Sequence, residues 1–226
     1  MNRKKAIELV KKDGSNLGIL PNEFKKDNEI VMKAIKNYGD ALEFADSSLQ
    51  KNKEIVFAAV QDDGRALEFA DTNLKKDKEI VLAAVQSKGD ALEYADENLR
   101  KDKDIVLAAA KQDGYSLKFA DPSFRSDKKI ILAAVQNDGS ALEFADDSLK
   151  KDKQIVFAAV KNDGSALQYS DKTLKKDKKI VLQAVSIYGL ALDFADKSLK
   201  KDKSLKEKSL KEQIDLIKKE LLNYKA

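Results

Sequence analysis

The apolar and polar positions of this chain repeat with a fixed period. Residues 77–101 show one copy, DKEIVLAAVQSKGDALEYADENLRK, in which an apolar run, a glycine, a second apolar cluster and a basic stretch follow one another. A fixed period of this length, kept without insertions, is typical of tandem repeats whose units contact their neighbours. The glycines that mark the period are Gly14, Gly39, Gly64, Gly89, Gly114, Gly139, Gly164 and Gly189.

The first half of each copy predicts an α-helix. An Asp or Asn precedes the apolar run, as at Asp77, and Gly89 follows it. These are the residues preferred at a helix N-cap and at the left-handed position after a helix, so we expect about eleven helical residues between them. Because apolar residues lie nearly all round this helix, neighbouring repeats should cover it on more than one side. The capping positions are Asp27, Asn52, Asp77, Asp102, Asp127, Asp152 and Asp177.

The second half of each copy predicts a shorter helix of about two turns. Leu92 and Ala95 are three residues apart and therefore lie on one side of such a helix. Asp96 is expected to cap a final turn that returns Leu99 to the core. Pro122, which follows the equivalent Asp121, favours this interpretation because proline suits the first position after a cap.

The two ends of the chain depart from the repeat. In residues 1–26 the second helix is expected to be replaced by Gly18, Ile19, Leu20 and Pro21. After residue 201 a charged helix is predicted, and its apolar residues step by four and three, which gives a narrow stripe. The stripe suits a cap over the last repeat or a dimerising coiled coil, and its short length favours the cap. Its members are Leu210, Ile214, Ile217, Leu221 and Tyr224.

The last full repeat agrees with a cap, because Ile187, Tyr188 and Leu190 are apolar where inner repeats are polar. The prediction is therefore an all-α, right-handed α-solenoid of tandem 25-residue two-helix repeats with terminal caps. Residues 1–26 form a degenerate capping repeat, 27–201 seven repeats and 202–226 an amphipathic capping helix. One copy buries too little apolar surface to offset the entropy of ordering its backbone, so it needs its neighbours to fold.

Composition narrows the classes of function. The 43 basic and 39 acidic residues leave a net charge of only +4, which by itself indicates no partner. The chain contains no Cys, which excludes disulfides and thiolate chemistry and fits a reducing compartment. The N-terminal stretch lacks an apolar signal-peptide core, and no apolar run is long enough to span a bilayer. We therefore expect a cytoplasmic protein without a transmembrane segment, which is a monomer unless two copies pair through the C-terminal helix.

The repeated polar residues predict no catalytic, metal or cofactor site. An EF-hand loop around Gly64 would need ligands at Ala59 and Ala70, and no glycine-rich stretch completes a phosphate-binding loop. The repeated Asp columns fall where helix caps are needed, and a hydrolase without His or Cys is a distant third hypothesis. An aromatic column is interpreted as core rather than as a base-stacking ladder. It comprises Phe44, Phe69, Tyr94, Phe119, Phe144, Tyr169 and Phe194.

A column of basic residues flanks the capping Asp of each repeat. Lysine in the first turn opposes the helix dipole, so helix stability does not explain it. Such a column can bind nucleic acid or an anionic membrane, or it can serve as a solvated edge that prevents aggregation. The acidic residues among the lysines favour the solvated edge. The candidate basic ridge comprises Lys75, Lys76, Lys78, Arg100, Lys101, Lys103, Lys150, Lys151, Lys153, Lys175, Lys176 and Lys178.

The positions that differ most between repeats surround the glycine turn. They do not build the core, and in a solenoid such positions line one edge of the surface. This turn edge is the first choice for recognising a protein partner, with Tyr115 as an anchor, although drift at exposed positions also explains its variety. The candidate partner-binding residues are Tyr38, Asp40, Arg65, Lys88, Asp90 and Tyr115.

The repeat D-K-E-I-V-L-A-A-V-x-x-x-G-x-A-L-E-[FY]-A-D resembles the helical repeat family known as domain of unknown function 4116. The resemblance covers residues 27–201, and it implies an α-helical repeat while leaving the function open. The leading hypothesis is a non-enzymatic scaffold that mediates protein–protein interaction along an extended surface. The alternative is electrostatic binding of nucleic acid or an anionic membrane surface through the lysine-rich edge.

Overall fold

The computed structural model describes residues 1–223, with the side chains of 217 and 219–223 left aside. Over that range it contains helices and no strand. The chain divides into two compact units, unit 1 with residues 1–121 and unit 2 beginning at Pro122. The α-helices are α1 (Arg3–Lys12), α2 (Asn22–Lys25), α3 (Asn28–Ile35), α4 (Lys53–Asp62), α5 (Lys78–Ser87), α6 (Lys103–Gln112), α7 (Lys128–Asn137), α8 (Lys153–Asn162), α9 (Lys178–Ile187) and α10 (Lys203–Asn223).

The predicted first helix of each repeat is confirmed, including its cap. In α5 the Oδ1 atom of Asp77 accepts hydrogen bonds from the backbone N–H groups of Glu79 at 3.0 Å and Ile80 at 3.3 Å. Asn52 caps α4 in the same way, so an amide replaces the carboxylate without loss of the cap. The helix begins at the residue after the cap because those N–H groups would otherwise lack acceptors.

The predicted left-handed glycine after this helix is wrong, since no described glycine has a positive φ. The helix ends instead at an extended residue, such as Lys88, and Gly89 begins the next element. A Cβ atom on Gly89 would lie 2.7 Å from the carbonyl oxygen of Ala109 in the following repeat. Glycine is therefore required by the close approach of two repeats and not by backbone conformation.

The predicted second helix is confirmed as a helix and proves to be a 3₁₀ helix of two turns. Three residues per turn place Leu92 directly above Gly89, and Ala91 and Leu92 are fully buried. The 3₁₀ helices that begin at the glycine are Gly14–Ile19, Gly39–Phe44, Gly64–Phe69, Gly89–Tyr94, Gly114–Lys118, Gly139–Phe144, Gly164–Tyr169 and Gly189–Phe194.

The aromatic column that ends this 3₁₀ helix is half-buried in every repeat, so its assignment to the core is wrong. The reason is its position: two places after the buried Leu on a 3₁₀ helix, the aromatic residue lies about 120° away from it around the helix axis. Burial raises the pKa of the Tyr94 phenol, and the nearby Glu68 carboxylate raises it further. The column therefore lies at the margin of the core.

The predicted final turn forms as expected at Asp96. Its Oδ1 atom accepts the N–H of Asn98 at 3.0 Å, and its carbonyl oxygen accepts the N–H of Leu99 at 2.9 Å. Its own N–H donates to the carbonyl oxygen of Lys75 in the preceding repeat at 3.0 Å, a bond that recurs between repeats within each unit. The short 3₁₀ helices that close the repeats are Leu74–Lys76, Leu99–Lys101, Pro122–Ser126, Leu149–Lys151, Leu174–Lys176 and Leu199–Lys201.

Stacking of repeats builds the core of each unit. Consecutive α-helices pack side by side, and each also packs on its own 3₁₀ helix and on that of the preceding repeat, as α5 does. In α5 the residues Ile80, Val81, Ala84 and Val85 are buried by these contacts. Leu82 is only half-buried, so the expected cover is incomplete on one side of the helix.

The N-terminal repeat is more complete than its sequence predicted. Residues Gly14–Ile19 form a 3₁₀ helix of the usual length, so the expected replacement of the second helix is wrong. Leu17 and Leu20 point into the core, and Ile19 is exposed. The side chains of this 3₁₀ helix differ from those of the inner repeats, but its backbone has the same conformation, because contacts with the next repeat hold Gly14 in place.

The C-terminal helix α10 packs against α9 and the 3₁₀ helix Gly189–Phe194, as a cap would. The face that packs is not the predicted stripe, because Leu205 and Ser209 are buried while Leu210 and Ile214 are exposed. Ile187 and Leu190 also stay exposed, so α10 does not cover them. The remaining stripe members Ile217, Leu221 and Tyr224 lie outside the described side chains. The handedness of the array and its three predicted domain ranges stay predictions.

Candidate functional site

The turn edge of unit 1 is formed where each α-helix passes into its 3₁₀ helix. The residue at this junction is extended, and the next residue is the buried glycine. Where the junction residue is Asp63, its Oδ1 atom accepts the N–H of Arg65 at 2.9 Å and caps the 3₁₀ helix. The aspartate of each Asp-Gly pair therefore caps the 3₁₀ helix that follows it, a role that the sequence did not predict.

The structure places all six candidate residues on this edge within unit 1, and it joins two of them directly. The Nε atom of Arg65 lies 2.8 Å from Oδ2 of Asp90 in the next repeat, and Nη2 of Arg65 contacts the same oxygen. The hydroxyl of Tyr38 lies 3.5 Å from Oδ2 of Asp40, at the limit of a hydrogen bond. Tyr115 is exposed.

In each of two carboxylates on this edge, one oxygen accepts no hydrogen bond. The Oδ1 atoms of Asp40 and Asp90 are buried from solvent and have no hydrogen-bond partner among the described residues. Burial raises the pKa of Asp40, and the neighbouring Asp63 carboxylate raises it further. A buried acceptor without a donor is costly. Lys88, between these residues, has an exposed side chain.

A second inter-repeat contact at the turn was not predicted. The N–H of Gly39 donates to Oδ2 of Asp62 at 2.7 Å, and the N–H of Gly139 donates to Oδ1 of Asn162 at 2.8 Å. The acceptor is a side chain from the following repeat, one position before the extended residue, and Asn37 and Ser87 accept from Gly14 and Gly64 in the same way. The signal was present in the sequence, because inner repeats carry Asn, Asp, Ser or Gln there while the last carries Ile187.

The candidate basic ridge separates into three columns with different contacts. In the first column Lys78, Lys153 and Lys178 pair with the capping aspartates of the following repeats. The Nζ–Oδ2 distance from Lys78 to Asp102 is 2.7 Å. This ladder supplies the reason for a lysine in the first helical turn, since its partner is the next cap. Lys103 is also engaged in an interaction and is not free.

The second column satisfies backbone carbonyl groups. The Nζ atoms of Lys75 and Lys175 donate to the carbonyl oxygens of Glu68 at 2.7 Å and Gln168 at 2.6 Å. Arg100 donates instead to the carbonyl oxygen of Ala95 at 3.0 Å. These bonds cap the C-terminal ends of the 3₁₀ helices, where carbonyl groups lack partners and cations are favourable.

The third column, which comprises Lys76, Lys101, Lys151 and Lys176, is exposed to solvent. Lys101 pairs with Glu97 at 2.5 Å within its own repeat. Among the described residues the side chains of Lys76, Lys151 and Lys176 form no ion pair or hydrogen bond, and neither does that of Lys150, which is half-buried and belongs to the second column. The ridge is therefore a mixture of lysines used for stacking and a smaller set that remains available.

Residues 1–223, as described, contain no cluster of His, Cys, Asp or Glu able to hold a metal ion. Over the same part of the chain, no helix is long and apolar enough to cross a membrane. The absence of catalytic and cofactor-binding residues stays a prediction.

The fold defines a class: a tandem helical-repeat protein whose α-helix, 3₁₀ helix and final turn recur at a fixed period. The family model described as Domain of unknown function (DUF4116) matches residues 2–50, 52–100, 77–125, 127–175 and 177–219. The chain belongs to this family, and the matched stretches correspond to about two repeats each. No curated protein and no solved structure matched the chain.

Proposed function

We propose that the chain is a non-enzymatic scaffold that binds a protein partner along the turn edge of unit 1. The observation that carries this proposal is the pair of buried, donorless oxygens, Asp40 Oδ1 and Asp90 Oδ1. They occupy the same position in two repeats of unit 1. When these carboxylates turn outward, a partner that presents backbone N–H groups or basic side chains at a matching interval satisfies both oxygens.

The exposed aromatic side chains on the same edge support this proposal. Tyr38 and Tyr115 are among the large side chains that remain accessible, and tyrosine contributes apolar area with little loss of entropy on binding. The residue after the glycine differs from repeat to repeat, as Asp40, Arg65, Asp90 and Tyr115. Such variety gives each repeat a different contact, which suits recognition of one extended partner.

The electrostatic alternative has weaker support. Binding to nucleic acid needs cations that are not already paired, because each phosphate that a free Lys or Arg neutralises releases a counterion from the nucleic acid. Much of the candidate ridge is engaged within the repeats. Lys78, Lys153 and Lys178 in particular lie beside carboxylates that offset their charge. The accessible remainder, such as Lys76 and Lys151, is expected to act as a solvated edge.

The experiment compares affinity capture from a cell lysate by the intact chain and by two matched variants. The edge variant carries Asp40→Asn and Asp90→Asn, which keep the side-chain shape and remove a carboxylate acceptor. The ridge variant carries Lys76→Gln, Lys151→Gln and Lys176→Gln, which spare the lysines in the inter-repeat ladder. Each capture is performed at low and at high salt, and circular dichroism verifies that the variants fold.

Partners retained by the ridge variant at both salt concentrations and lost by the edge variant support the proposal. Hydrogen exchange should then show protection at residues 38–40 and 88–90 in the complex. Partners lost by the ridge variant and by high salt, with the edge variant unchanged, would establish the electrostatic alternative instead.

A further inference from the structure

Three consecutive α-helices of unit 2 carry lysines and no acidic residue. Helices α7, α8 and α9 contain six lysines, whereas α4, α5 and α6 of unit 1 contain four lysines and four acidic residues. The buried positions are the same in both sets, so core packing does not account for the difference. The six lysines are Lys128, Lys129, Lys153, Lys161, Lys178 and Lys179. The charged residues of α4, α5 and α6 are Lys53, Glu54, Asp62, Lys78, Glu79, Lys103, Asp104 and Lys111.

The second residue of each α-helix produces most of this contrast. In unit 1 it is acidic and pairs with the preceding repeat, as Glu79 does with Lys53 at 2.8 Å. In α7 and α9 it is Lys129 and Lys179, which oppose the helix dipole and form no ion pair among the described residues. Helix stability therefore does not explain these two lysines. The column is Glu54, Glu79 and Asp104 in unit 1 and Lys129, Gln154 and Lys179 in unit 2.

An apolar column accompanies these cations on α7, α8 and α9. Leu132 and Phe157 are half-buried, and Leu182 is 42% exposed. Leu132, Phe157 and Ala158 line a groove of about 520 Å³ between α7 and α8. The polar residues that line the same groove are Gln136, Gln154, Lys161 and Asn162. Lys161 is exposed and has no ion-pair partner in the described part of the chain, so this groove combines apolar side chains with an available cation.

Phe157 also lines a second groove, which lies between α8 and α9 and encloses about 430 Å³. Lys153, Asp177 and Lys179 lie along this groove. Asp177 is neutralised by Lys153 at 2.8 Å, which leaves the charge of Lys179 without a counterpart. The Nζ atom of Lys179 is 5.8 Å from the centre of the Phe157 ring, within the range of a cation–π contact. The second groove therefore has the same character as the first, an apolar wall beside a cation.

We propose that α7, α8 and α9 bind an acidic segment of a protein partner. Apolar side chains of that segment enter the two grooves, and its carboxylates meet Lys129, Lys161 and Lys179, since opposite charges across an interface give specificity. Packed helices lie about 8–10 Å apart, and about three residues of extended chain span that distance. An apolar residue at every third position, with carboxylates between, therefore matches successive grooves. This face lies within unit 2 and does not depend on the turn edge of unit 1.

Two other anionic partners fit this face less well. A bilayer surface takes up apolar side chains that project into it, whereas Leu132 and Phe157 are half-buried in grooves. Single-stranded nucleic acid stacks its bases on aromatic side chains, whereas the apolar column of α7, α8 and α9 places Phe157 between two leucines. An acidic polypeptide with apolar side chains uses both the cations and the grooves.

Fluorescence anisotropy of a labelled synthetic peptide measures this binding with the full chain. The probe repeats one leucine followed by two glutamates, and two control peptides replace glutamate with glutamine or leucine with serine. The full chain should bind the probe more tightly than either control peptide, because each control removes one of the two complementary features. Absence of binding to the probe, or equal affinity for the probe and either control, would overturn the proposal.

Unit 1 supplies the substitutions that locate the binding face. Lys129→Glu with Lys179→Glu gives α7 and α9 the acidic residue of α4 and α5, and it should weaken binding of the probe about tenfold. The urea midpoint should not fall, because an acidic residue favours the first turn of a helix. Lys4→Glu with Lys5→Glu is the matched control, since it makes the same charge change in the first turn of α1. Equal weakening by the two variants would mean that the probe responds only to total charge.

Further measurements separate this face from the turn edge and from other anionic partners. The edge variant with Asp40→Asn and Asp90→Asn should bind the probe as tightly as the original chain, so the two surfaces succeed or fail independently. The alternatives are tested with phosphatidylserine-containing vesicles and a labelled single-stranded oligonucleotide. Binding of either one that requires Lys129 and Lys179, by a chain that does not bind the peptide probe, would assign the face to that partner and overturn the proposal.

Discussion

Several residues of this repeat are explained by their contacts with the next repeat and not by the helix to which they belong. Gly89 is the clearest case, because its backbone conformation is open to any residue while a Cβ atom would lie within 2.8 Å of three atoms of the following repeat. Lys78 follows the same logic, since its charge opposes its own helix dipole and pairs with Asp102. A residue that looks unfavourable within one copy is thus explained by its neighbour.

Substitution of Gly89 tests the close approach. Gly89→Ala should destabilise the protein by about 1–3 kcal/mol, as overpacking does, measured from the urea midpoint. Gly18→Ala is the control, because the three atoms nearest to its Cβ would all belong to the Phe44 ring, the first at 3.2 Å, and this substitution should cost less. Gly89→Asn discriminates further: a left-handed cap would tolerate asparagine better than alanine, whereas close packing makes asparagine worse.

Helical elements at the ends of the array use the same packing face as the inner repeats. Helix α10 places Leu205 and Ser209 where α9 places Ile180 and Ala184, and Ser209 donates to the carbonyl oxygen of Gly189 at 2.7 Å. Its outward stripe is not needed for this docking. The element therefore caps unit 2 with one face and leaves another exposed.

Alanine substitution on the two faces of α10 separates these roles. Leu205→Ala should cost about 2–5 kcal/mol, because it removes a fully buried side chain. Leu210→Ala should change the stability by less than about 0.5 kcal/mol, because Leu210 is 60% exposed. Urea unfolding measures both. The reverse order would mean that the Leu210 side packs on the last repeat.

At the scale of the whole molecule, the ladder of capping aspartates couples stability to pH. A hydrogen bond from the cation of the preceding repeat lowers the pKa of Asp77 and Asp152, through Lys53 and Lys128, and backbone N–H groups add to the shift. The same cause lowers the pKa of Asp27, Asp177 and Asp202. A carboxyl group with a lowered folded pKa stabilises the fold above its unfolded pKa, and the effect is lost as pH falls through the folded value.

We therefore expect the urea midpoint to be nearly constant from neutral pH to about pH 5 and to fall below about pH 4, near the unfolded pKa of aspartate. Replacing Lys128, Lys153 and Lys178 by Met removes three cations of the ladder and should make this fall shallower. A variant that loses stability along the same pH curve as the original chain would show that the ladder does not couple folding to pH.

Deletion of one repeat tests whether stability is carried between neighbours. Removing residues 53–77 joins Asn52 to Lys78 and keeps the period, so each unit should still fold with its helical signal per residue retained and a lower urea midpoint. Removing residues 53–64 breaks the period and joins Asn52 to Arg65. This control should lose helical circular dichroism, and equal damage from the two deletions would argue against a repeat that contacts only its neighbours.

The sequence alone determined the period, the capped first helix, the two-turn second helix and the final turn at Asp96. These features depend on local chemistry, because a capping oxygen, a proline or an apolar stripe acts within a few residues of itself. The family resemblance and the position of the turn edge also came from the sequence. The same local evidence placed Gly89 in a left-handed cap and the aromatic column in the core.

Only the tertiary structure decided what crosses from one repeat to the next. It assigned Gly89 to a close approach, Lys78 to an ion pair and Asn162 to the N–H of Gly139, and it left Leu210 and Ile187 exposed. A periodic sequence gives every copy the same pattern, so the pattern cannot say which polar residue meets which neighbour. That information resides in the rotation and separation of adjacent repeats, which the packing of their side chains fixes.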